Sequence, residues 1–215
     1  MNNKVEEYLQ SLIPAHSNLF SEMEAYAEEH KVPIMDKIGM EALLQFLRLQ
    51  KPSSILEVGT AIGYSALRMS DVLPEAKIVT LERDEERIET AKKYIKEAGK
   101  LDSIRIIEGD ALELSEKVQS EGPFDAIFID AAKGQYKKFF EIYEPMLNSG
   151  GIIVTDNVLF KGLVAVEESE IEQRRIKNLV RKIRDFNTWL MNHPSYDTAI
   201  MPIGDGVAVS KKRGS

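Results

Sequence analysis

Residues 55–65 read Ile-Leu-Glu-Val-Gly-Thr-Ala-Ile-Gly-Tyr-Ser, a stretch typical of a buried strand that passes through a glycine turn into a helix. Ile55, Leu56 and Val58 form the short apolar run expected of a parallel strand that is covered on both faces. The two glycines that follow allow the backbone to turn sharply against a ligand. The stretch therefore predicts an α/β protein with a ligand site at the carboxyl end of this strand.

The spacing of the two glycines, Gly59 and Gly63, argues against a dinucleotide as the ligand. Dinucleotide-binding loops use G-x-G-x-x-G, whose second glycine admits the pyrophosphate, but Ala61 occupies that position here. Glu57 and the free N–H groups of the helix N-terminus suit a ligand that has both an ammonium and a carboxylate. The methionine end of S-adenosylmethionine carries both groups. A plain structural turn is the alternative, because glycine turns after strands are common in α/β proteins.

The length of 215 residues and the 43% apolar content fit a single α/β domain over residues 1–215. The first 50 residues have apolar side chains at the spacing of helices, interrupted by a loop at 32–36 in which Asp36 would cap the next helix. We therefore expect an N-terminal helical cap over 1–50 and a Rossmann-like core over 51–215.

Composition narrows the location and the chemistry of the protein. No run is long and apolar enough to cross a bilayer, and the N-terminus lacks the basic-then-apolar plan of a signal peptide, so we expect a cytoplasmic protein with no membrane partner. The absence of cysteine excludes disulfides, thiolate metal sites and cysteine nucleophiles. The net charge of -7 argues mildly against broad nonspecific nucleic-acid binding, but it is compatible with a local basic patch.

Beyond residue 50 the pattern alternates between strands and helices, which predicts βαβ units and a mostly parallel sheet. The helices are expected at 84–99, 135–147 and 168–192. Gly204-Asp205-Gly206 separates the last two strands and predicts a terminal antiparallel hairpin in a seven-stranded sheet. The seven strands are expected at 53–58, 76–82, 103–108, 124–130, 150–156, 196–202 and 206–211.

Acidic side chains stand at the ends of the second and third strands, where a ligand of a parallel sheet would bind. Glu82 lies about where a ribose-binding acid is expected after the glycine turn, although it could instead cap the helix at 84–99. Asp110 ends the third strand and is followed by Ala111. It could meet an adenine or simply cap a helix, and the residues leave both interpretations open.

Asp130, Asp156 and Asn157 follow neighbouring strands and offer two carboxylates and an amide. Hard oxygen ligands of this kind suit an octahedral Mg²⁺ that keeps positions for water and substrate. The ordinary alternative is that Asp and Asn often end strands and begin turns. Lys133 could reach the same site and act as a base, or it could be a solvated lysine at a helix start.

Two other groups of residues are candidates for a functional role. His16, His30 and His193 are scattered and form no triad pattern, so a hydrolytic triad is not supported. A run of cations on the long helix could be a solvated face or a strip that contacts phosphates. This run consists of Arg174, Arg175, Lys177, Arg181, Lys182 and Arg184.

These motifs together resemble the cation-dependent class I O-methyltransferases, the family that includes catechol and caffeoyl-coenzyme A O-methyltransferases. The resemblance runs over nearly the whole chain and is carried by residues 55–65, Glu82, 124–136 and 154–159. It implies the Rossmann-like methyltransferase fold, S-adenosylmethionine as the cofactor, a bound Mg²⁺, and Lys133 as the catalytic base. The cofactor-binding residues that it implies are Met40, Glu57, Gly59, Ser65, Glu82, Asp110, Ala111 and Asp130. The metal ligands that it implies are Asp130, Asp156 and Asn157.

Within the family, residues 33–41, 59–65, 129–136 and 155–162 are most similar to the bacterial group that methylates 5-hydroxyuridine in tRNA. This likeness implies methylation of the wobble 5-hydroxyuridine to 5-methoxyuridine, with the tRNA anticodon stem-loop as partner. The segment 161–166 before the basic helix is not an obvious catechol or coenzyme A pocket, which favours a larger anionic substrate. The phosphate contacts are then expected from the cations of the basic helix together with Lys161, Lys211, Lys212 and Arg213.

The sequence is also compatible with two alternative functions, and it predicts an assembly. The acidic pI is compatible with a small-molecule catechol or phenolic O-methyltransferase. A tRNA- or nucleotide-binding module that keeps the cofactor fold without catalysis is the second alternative. A homodimer formed through the N-terminal helices is also expected.

Overall fold

The computed structural model describes residues 3–214, so residues 1, 2 and 215 of the predicted domain lie outside the described part. Its centre is a seven-stranded sheet in the order β3-β2-β1-β4-β5-β7-β6. The first five strands pair in parallel, while β7 is antiparallel to both β5 and β6. The predicted mostly parallel sheet with a terminal hairpin is confirmed. The strands are β1 (Ser54–Val58), β2 (Lys77–Glu82), β3 (Ile104–Glu108), β4 (Phe124–Ile129), β5 (Leu147–Thr155), β6 (Tyr196–Met201) and β7 (Val207–Lys212).

Helices cover both faces of the sheet, which explains why β1 is apolar on both sides. Ile55 points into a core formed with α2 to α5, whereas Leu56 and Val58 point into a second core formed with α6 to α8. No helix of the described residues has the length and apolarity to span a membrane. The helices are α1 (Asn3–Leu12), α2 (Asn18–His30), α3 (Lys37–Gln50), α4 (Tyr64–Val72), α5 (Glu85–Glu97), α6 (Ser115–Gln119), α7 (Tyr136–Tyr143) and α8 (Arg174–Met191).

Three helix boundaries differ from the predictions. The N-terminal segment has a second break between α1 and α2, because Pro14 lacks the N–H that a helix interior requires. The helix predicted over 135–147 already ends at Tyr143, because Pro145 has no N–H with which to continue an α-helix. A 3-10 turn over Glu144–Met146 then leads into β5 at Leu147. The helix predicted over 168–192 begins only at Arg174, after a separate 3-10 turn.

The direction of the strands decides which residues can share a site. Strands β1 to β5 all end at the same end of the sheet, called the carboxyl end below. Strand β7 runs the other way, because Ala208 pairs with Thr155 at the carboxyl end and Lys211 pairs with Ile152 at the amino end. The turn between β6 and β7 therefore joins the carboxyl end.

Candidate active site

Gly59 brings the ends of β1 and β4 into contact. Its φ of +109° is rarely adopted by other residues, and a Cβ atom here would overlap the backbone carbonyl oxygen of Asp130. The backbone N–H of Gly59 donates to the carbonyl of Leu81 over 3.1 Å, and that of Asp130 donates to the carbonyl of Val58 over 3.0 Å. The glycine thus holds the turn directly beside the predicted metal ligand.

Glu57 lies beneath the turn rather than on its surface. Its side chain is fully buried and accepts hydrogen bonds from the hydroxyls of Ser65 and Thr80, the latter over 2.5 Å. Burial raises the pKa of Glu57 to about 8, the two hydroxyls oppose this rise, and the charges of Asp130 and Glu82 add to it. Because Ser65 lines the cavity described below, Glu57 acts there through Ser65.

Glu82 connects the glycine turn to the start of α5. One carboxylate oxygen accepts from the backbone N–H of Ala61 over 2.9 Å, and the other accepts from the N–H groups of Arg83 and Asp84 over 2.9 and 3.1 Å. Asp84, not Glu82, caps α5, since it accepts from the N–H of Arg87. Glu82 remains on the cavity wall, where the predicted contact with a ribose is sterically available.

Asp110 combines a local turn with a position on the cavity wall. One of its oxygens accepts from the N–H of Leu112 over 2.9 Å, and the other pairs with the guanidinium of Arg83 over 2.9 Å. These contacts lower the pKa of Asp110, and the hydrogen bond from Leu112 has the largest effect. The carbonyl of Ala111 accepts from the hydroxyl of Tyr143 over 2.5 Å. The predicted helix cap is wrong, because the next helix, α6, begins only at Ser115 and Asp110 caps a turn instead. The contact of Asp110 with an adenine stays a prediction that its place on the cavity wall allows.

A cavity of about 1110 Å³ opens above these residues at the carboxyl end of the sheet. Gly59, Ser65, Glu82, Asp110, Ala111, Asp130, Lys133 and Asn157 line it. Residues 33–35 of the predicted loop form another part of its wall. The Met40 side chain is fully buried in the core and is not part of this wall, so its cofactor contact stays a prediction without support from the cavity.

The predicted metal ligands follow the neighbouring strands β4 and β5 at the carboxyl end, where the backbone N–H of Asp156 donates to the carbonyl of Ile129 over 3.1 Å. Asp130 and Asn157 line the cavity. Asp156 is fully buried, and its two oxygens accept from the backbone N–H and the side-chain amide of Asn157, each over 2.7 Å. Asn157 adopts a φ of +59°, which asparagine tolerates better than most residues. Burial raises the pKa of Asp156 and of the half-buried Asp130, and their mutual repulsion adds to the rise at Asp156.

The donor chemistry of this group fits a hard divalent cation. Two carboxylates that repel each other in a buried position are stabilised by a positive charge between them, and the side-chain oxygen of Asn157 accepts no hydrogen bond from residues 3–214. Residues 3–214 contain no group of three or more Asp, Glu or His side chains arranged to hold a metal. The fit therefore depends on Asn157 and on further ligands such as water.

Lys133 lies on a 3-10 turn (Lys133–Gln135) after β4 and is half-buried. Burial lowers the pKa of its ammonium, and the carboxylates of Asp130, Asp205 and Asp156 oppose this shift. A lysine with a lowered pKa beside the metal ligands has the property that a general base needs.

Two acidic residues near this site were not predicted to belong to it. Asp36 caps α3, as predicted, by accepting from the N–H groups of Ile38 and Gly39 over 3.0 Å each, but its carboxylate also acts electrostatically on Asp156. A Cβ atom at Gly204 would overlap this carboxylate. The Gly204 hairpin turn was a signal that could have been extended to the site, because the turn must lie beside the end of β5.

Asp205 is the second of these residues, and it lies in the turn between β6 and β7. It accepts a hydrogen bond from the backbone N–H of Lys161 and acts electrostatically on Lys133. The predicted hairpin placed this residue in a turn, but only the antiparallel pairing of β5 and β7 brings that turn to the carboxyl end.

The predicted strip of six cations on α8 divides into two groups, apart from Lys177, which acts electrostatically on Glu168. Arg181 pairs with Glu168 over 3.0 Å, and Arg184 donates to the carbonyls of Val164 and Val166, the former over 2.8 Å. These two side chains hold the preceding segment against α8. By contrast, three cations that line the cavity make no hydrogen bond or ion pair with residues 3–214. They are Arg174, Arg175 and Lys182.

The cavity gives no support to the predicted contacts of Lys211, Lys212 and Arg213 with substrate phosphates. Strand β7 carries them to the amino end of the sheet, away from the cavity. There Lys212 donates to the carbonyl of Leu147 over 2.7 Å, and Arg213 pairs with Asp197 over 2.9 Å. Lys161, in contrast, lies close enough to the site to act electrostatically on Lys133.

Comparison with known proteins shows which family this sequence resembles. The family model described as O-methyltransferase matches residues 11–213. A catechol O-methyltransferase of Niastella koreensis is 32% identical over 210 residues, which cover 94% of this chain and 92% of that protein.

Solved structures show the same likeness in three dimensions. A candidate caffeoyl-CoA O-methyltransferase from Staphylococcus aureus is 37% identical with a TM-score of 0.88, and the match covers 98% of both chains. A methyltransferase of Podospora anserina, solved with SAH bound, is 26% identical with a TM-score of 0.85 and matches 98% of this chain and 94% of that one.

Proposed function

The chain belongs to the O-methyltransferase family, and on this premise we propose that it transfers the methyl group of S-adenosylmethionine to an acceptor hydroxyl with the help of Mg²⁺. The observation that carries the proposal is a single cavity lined by the glycine turn and Glu82 at one side and by Asp130, Lys133 and Asn157 at the other. A donor and an acceptor bound there would meet between the two groups. The relative solved with SAH supports the choice of donor.

The donor would be held along the ends of β1 to β3. Ser65, supported from below by Glu57, and the N–H groups of the glycine turn face its methionine end. Glu82 would accept from the ribose hydroxyls, and Asp110 with Ala111 would lie near the adenine.

Asp130, Asp156 and Asn157 would hold the cation, since their oxygens suit Mg²⁺. When bound, the cation supplies Lewis acidity that favours loss of the acceptor proton. Lys133 then accepts that proton at Nζ, for which its lowered pKa prepares it. The acceptor oxygen forms a bond to the methyl carbon as the carbon–sulfur bond breaks. The electron pair of the broken bond stays on sulfur, and S-adenosylhomocysteine is the product that leaves. The protein contributes alignment of oxygen and methyl.

The proposed acceptor is 5-hydroxyuridine at the wobble position of tRNA, which becomes 5-methoxyuridine. Arg174, Arg175 and Lys182 support this proposal, because unpaired cations at a cavity wall favour an anionic acceptor. Lys161 adds a fourth cation near the reacting group. The base would have to be presented unstacked to reach the cavity.

A small catechol or phenol is the second candidate acceptor. It is favoured by the catechol O-methyltransferase of Niastella koreensis, which matches this chain over nearly its whole length. The vicinal hydroxyls of a catechol would offer a bound cation two oxygens, as would the 5-hydroxyl and O4 of the modified uridine.

The two candidates are separated by mass analysis of tRNA from cells that lack the gene, together with a transfer assay in vitro. We expect loss of 5-methoxyuridine in the deletion strain and transfer of labelled methyl to hydroxylated tRNA, but not to unmodified or already methoxylated tRNA. Normal 5-methoxyuridine in the deletion strain, or turnover of catechol as fast as tRNA, would reject the tRNA assignment. Full activity after chelation, or in Asp156→Ala, would reject the cation.

A further inference from the structure

Gln135 ends the turn that carries Lys133, and it lines the cavity of the site. Its backbone N–H donates to the carbonyl of Ala132 over 2.8 Å, which fixes the residue in the turn. Its side chain is half-buried and makes no hydrogen bond with residues 3–214. The amide of Gln135 is therefore available to donate and to accept hydrogen bonds in the cavity that Asp130 and Lys133 also line.

Gly134 brings this turn against the face of α8 that lines the cavity. A Cβ atom at Gly134 would lie 3.7 Å from Cδ1 of Leu179 and 3.8 Å from Nζ of Lys182, in ordinary van der Waals contact with both. Leu179 and Lys182 line the same cavity as Gln135. An amide, an apolar side chain and a cation thus share the part of the wall formed by the turn of Lys133 and α8.

The proposed acceptor has a polar edge that the cation leaves open. A cation bound to the 5-oxygen and O4 of 5-hydroxyuridine would leave N3–H and O2 as the remaining polar groups of the ring edge. The first is a donor and the second an acceptor, and a single side-chain amide supplies the complementary pair. A catechol carries no such pair beyond its two hydroxyls.

We propose that Gln135 is the residue that determines specificity for the base: its amide oxygen accepts from N3–H of the uracil ring, and its amide nitrogen donates to O2. Leu179 then offers an apolar surface to the ring, and Lys182 offers a positive charge to the RNA phosphates. This inference rests on the proposed function, since it concerns the acceptor of that same site. An amide that pairs with a base edge in this way discriminates by about tenfold or more.

The test combines one change in the enzyme with one change in the RNA. Anticodon stem-loop RNA that carries 5-hydroxyuridine is compared with the same RNA methylated at N3 of that base, which removes the donor. We expect N3 methylation to lower kcat/KM of the wild type by about tenfold. Gln135→Met keeps the length of the side chain but removes the amide, so it should lower kcat/KM for the RNA with a free N3–H by about tenfold. In this variant N3 methylation should cost less than about twofold more.

Asn178→Leu is the matched control, because Asn178 lines the same cavity with an amide but is exposed on α8. This variant should keep the preference of the wild type for the free N3–H. Equal kcat/KM of the wild type on the two RNAs would overturn the inference. So would a preference that persists in Gln135→Met or disappears in Asn178→Leu.

Calorimetric titration of the variants with SAH and with Mn²⁺ separates recognition of the base from a disturbance of the turn. Gln135→Met should bind both like the wild type. Weaker binding of either would overturn the inference, because the substitution would then have moved the turn of Lys133. A wild-type enzyme that methylates neither RNA would instead overturn the acceptor of the proposed function, and this inference with it.

Discussion

Two constraints favour glycine at position 59, and a comparison of substitutions at Gly59 and Gly99 separates them. The positive φ of Gly59 disfavours any side chain, and a Cβ atom would also overlap the Asp130 carbonyl. Gly99 has a positive φ of +66° but open space around it, so it isolates the first constraint. We expect Gly99→Ala to lower the free energy of unfolding by about 1 kcal/mol and Gly59→Ala by about 3 kcal/mol. Urea unfolding measures both, and equal losses would contradict the close approach.

The raised pKa of Glu57 predicts how the stability of the cofactor-free protein depends on pH. Because its folded pKa of about 8 is raised above the ordinary value of 4.5, its contribution is complete below the lower pKa and is lost as pH rises through the higher one. Glu57→Gln removes this loss. We expect the variant to gain on the order of 1–3 kcal/mol relative to the wild type between pH 5 and pH 9.

Urea unfolding at several pH values tests this expectation for Glu57. The exposed Glu113 provides the control variant Glu113→Gln, whose difference from the wild type should stay constant over the same range. A Glu57→Gln difference that is also independent of pH would show that the carboxyl is ionised in the folded protein at pH 5.

Helix α8 has two sets of cations with different expected effects. Arg174, Arg175 and Lys182 line the cavity, so replacing all three with alanine should raise KM for hydroxylated tRNA by about 10- to 100-fold at moderate salt. The same variant should methylate catechol like the wild type, because a small neutral acceptor needs no phosphate contact. Initial rates at several salt concentrations check this, with a smaller salt dependence expected for the variant.

The amino end of the sheet supplies the control for this experiment. Lys211→Ala combined with Arg213→Ala removes two positive charges, but both residues lie away from the cavity. We expect tRNA kinetics within about twofold of the wild type. If this variant lost as much affinity as the α8 variant, net charge rather than the cavity wall would determine tRNA binding.

At the level of elements, the sequence was informative where chemistry is local. The apolar run before Gly59 and the alternation after it predicted the five parallel strands, because buried parallel strands need continuous apolar residues. The glycine turn at 204–206 predicted β6 and β7. The break at Pro14 was missed, although proline is a local signal, because the apolar spacing continues across it. The position of Lys211 at the amino end of the sheet could not be predicted, because it depends on the direction of β7, which is set by pairing with β5.

At the level of the whole molecule, the part of the site that follows from strand topology could be predicted from the sequence. Asp130 and Asp156 follow parallel neighbouring strands, so their meeting follows from topology alone. Asp36 and Asp205 reach the site from the N-terminal helices and from the hairpin. Their arrival depends on tertiary packing, which no spacing within the sequence encodes.

Helix α1 leads to a prediction about assembly. Val5, Tyr8 and Leu12 lie at helical spacing on one face and are 44%, 62% and 59% exposed. An exposed apolar stripe of this kind is typical of an interface, and the predicted homodimer would cover it with a second copy. We expect the wild type to be dimeric and Tyr8→Glu combined with Leu12→Glu to be monomeric in light scattering after size exclusion.

Leu101 offers the control for this assembly, because it is 61% exposed but lies outside α1, after α5. Leu101→Glu adds a charge at an isolated apolar position and should leave the mass at that of the wild type. The α1 variant should keep its methyl-transfer activity with catechol, since residues 5–12 do not line the cavity. A wild-type mass of one chain at micromolar concentration would contradict the dimer and leave the α1 stripe as an ordinary exposed surface.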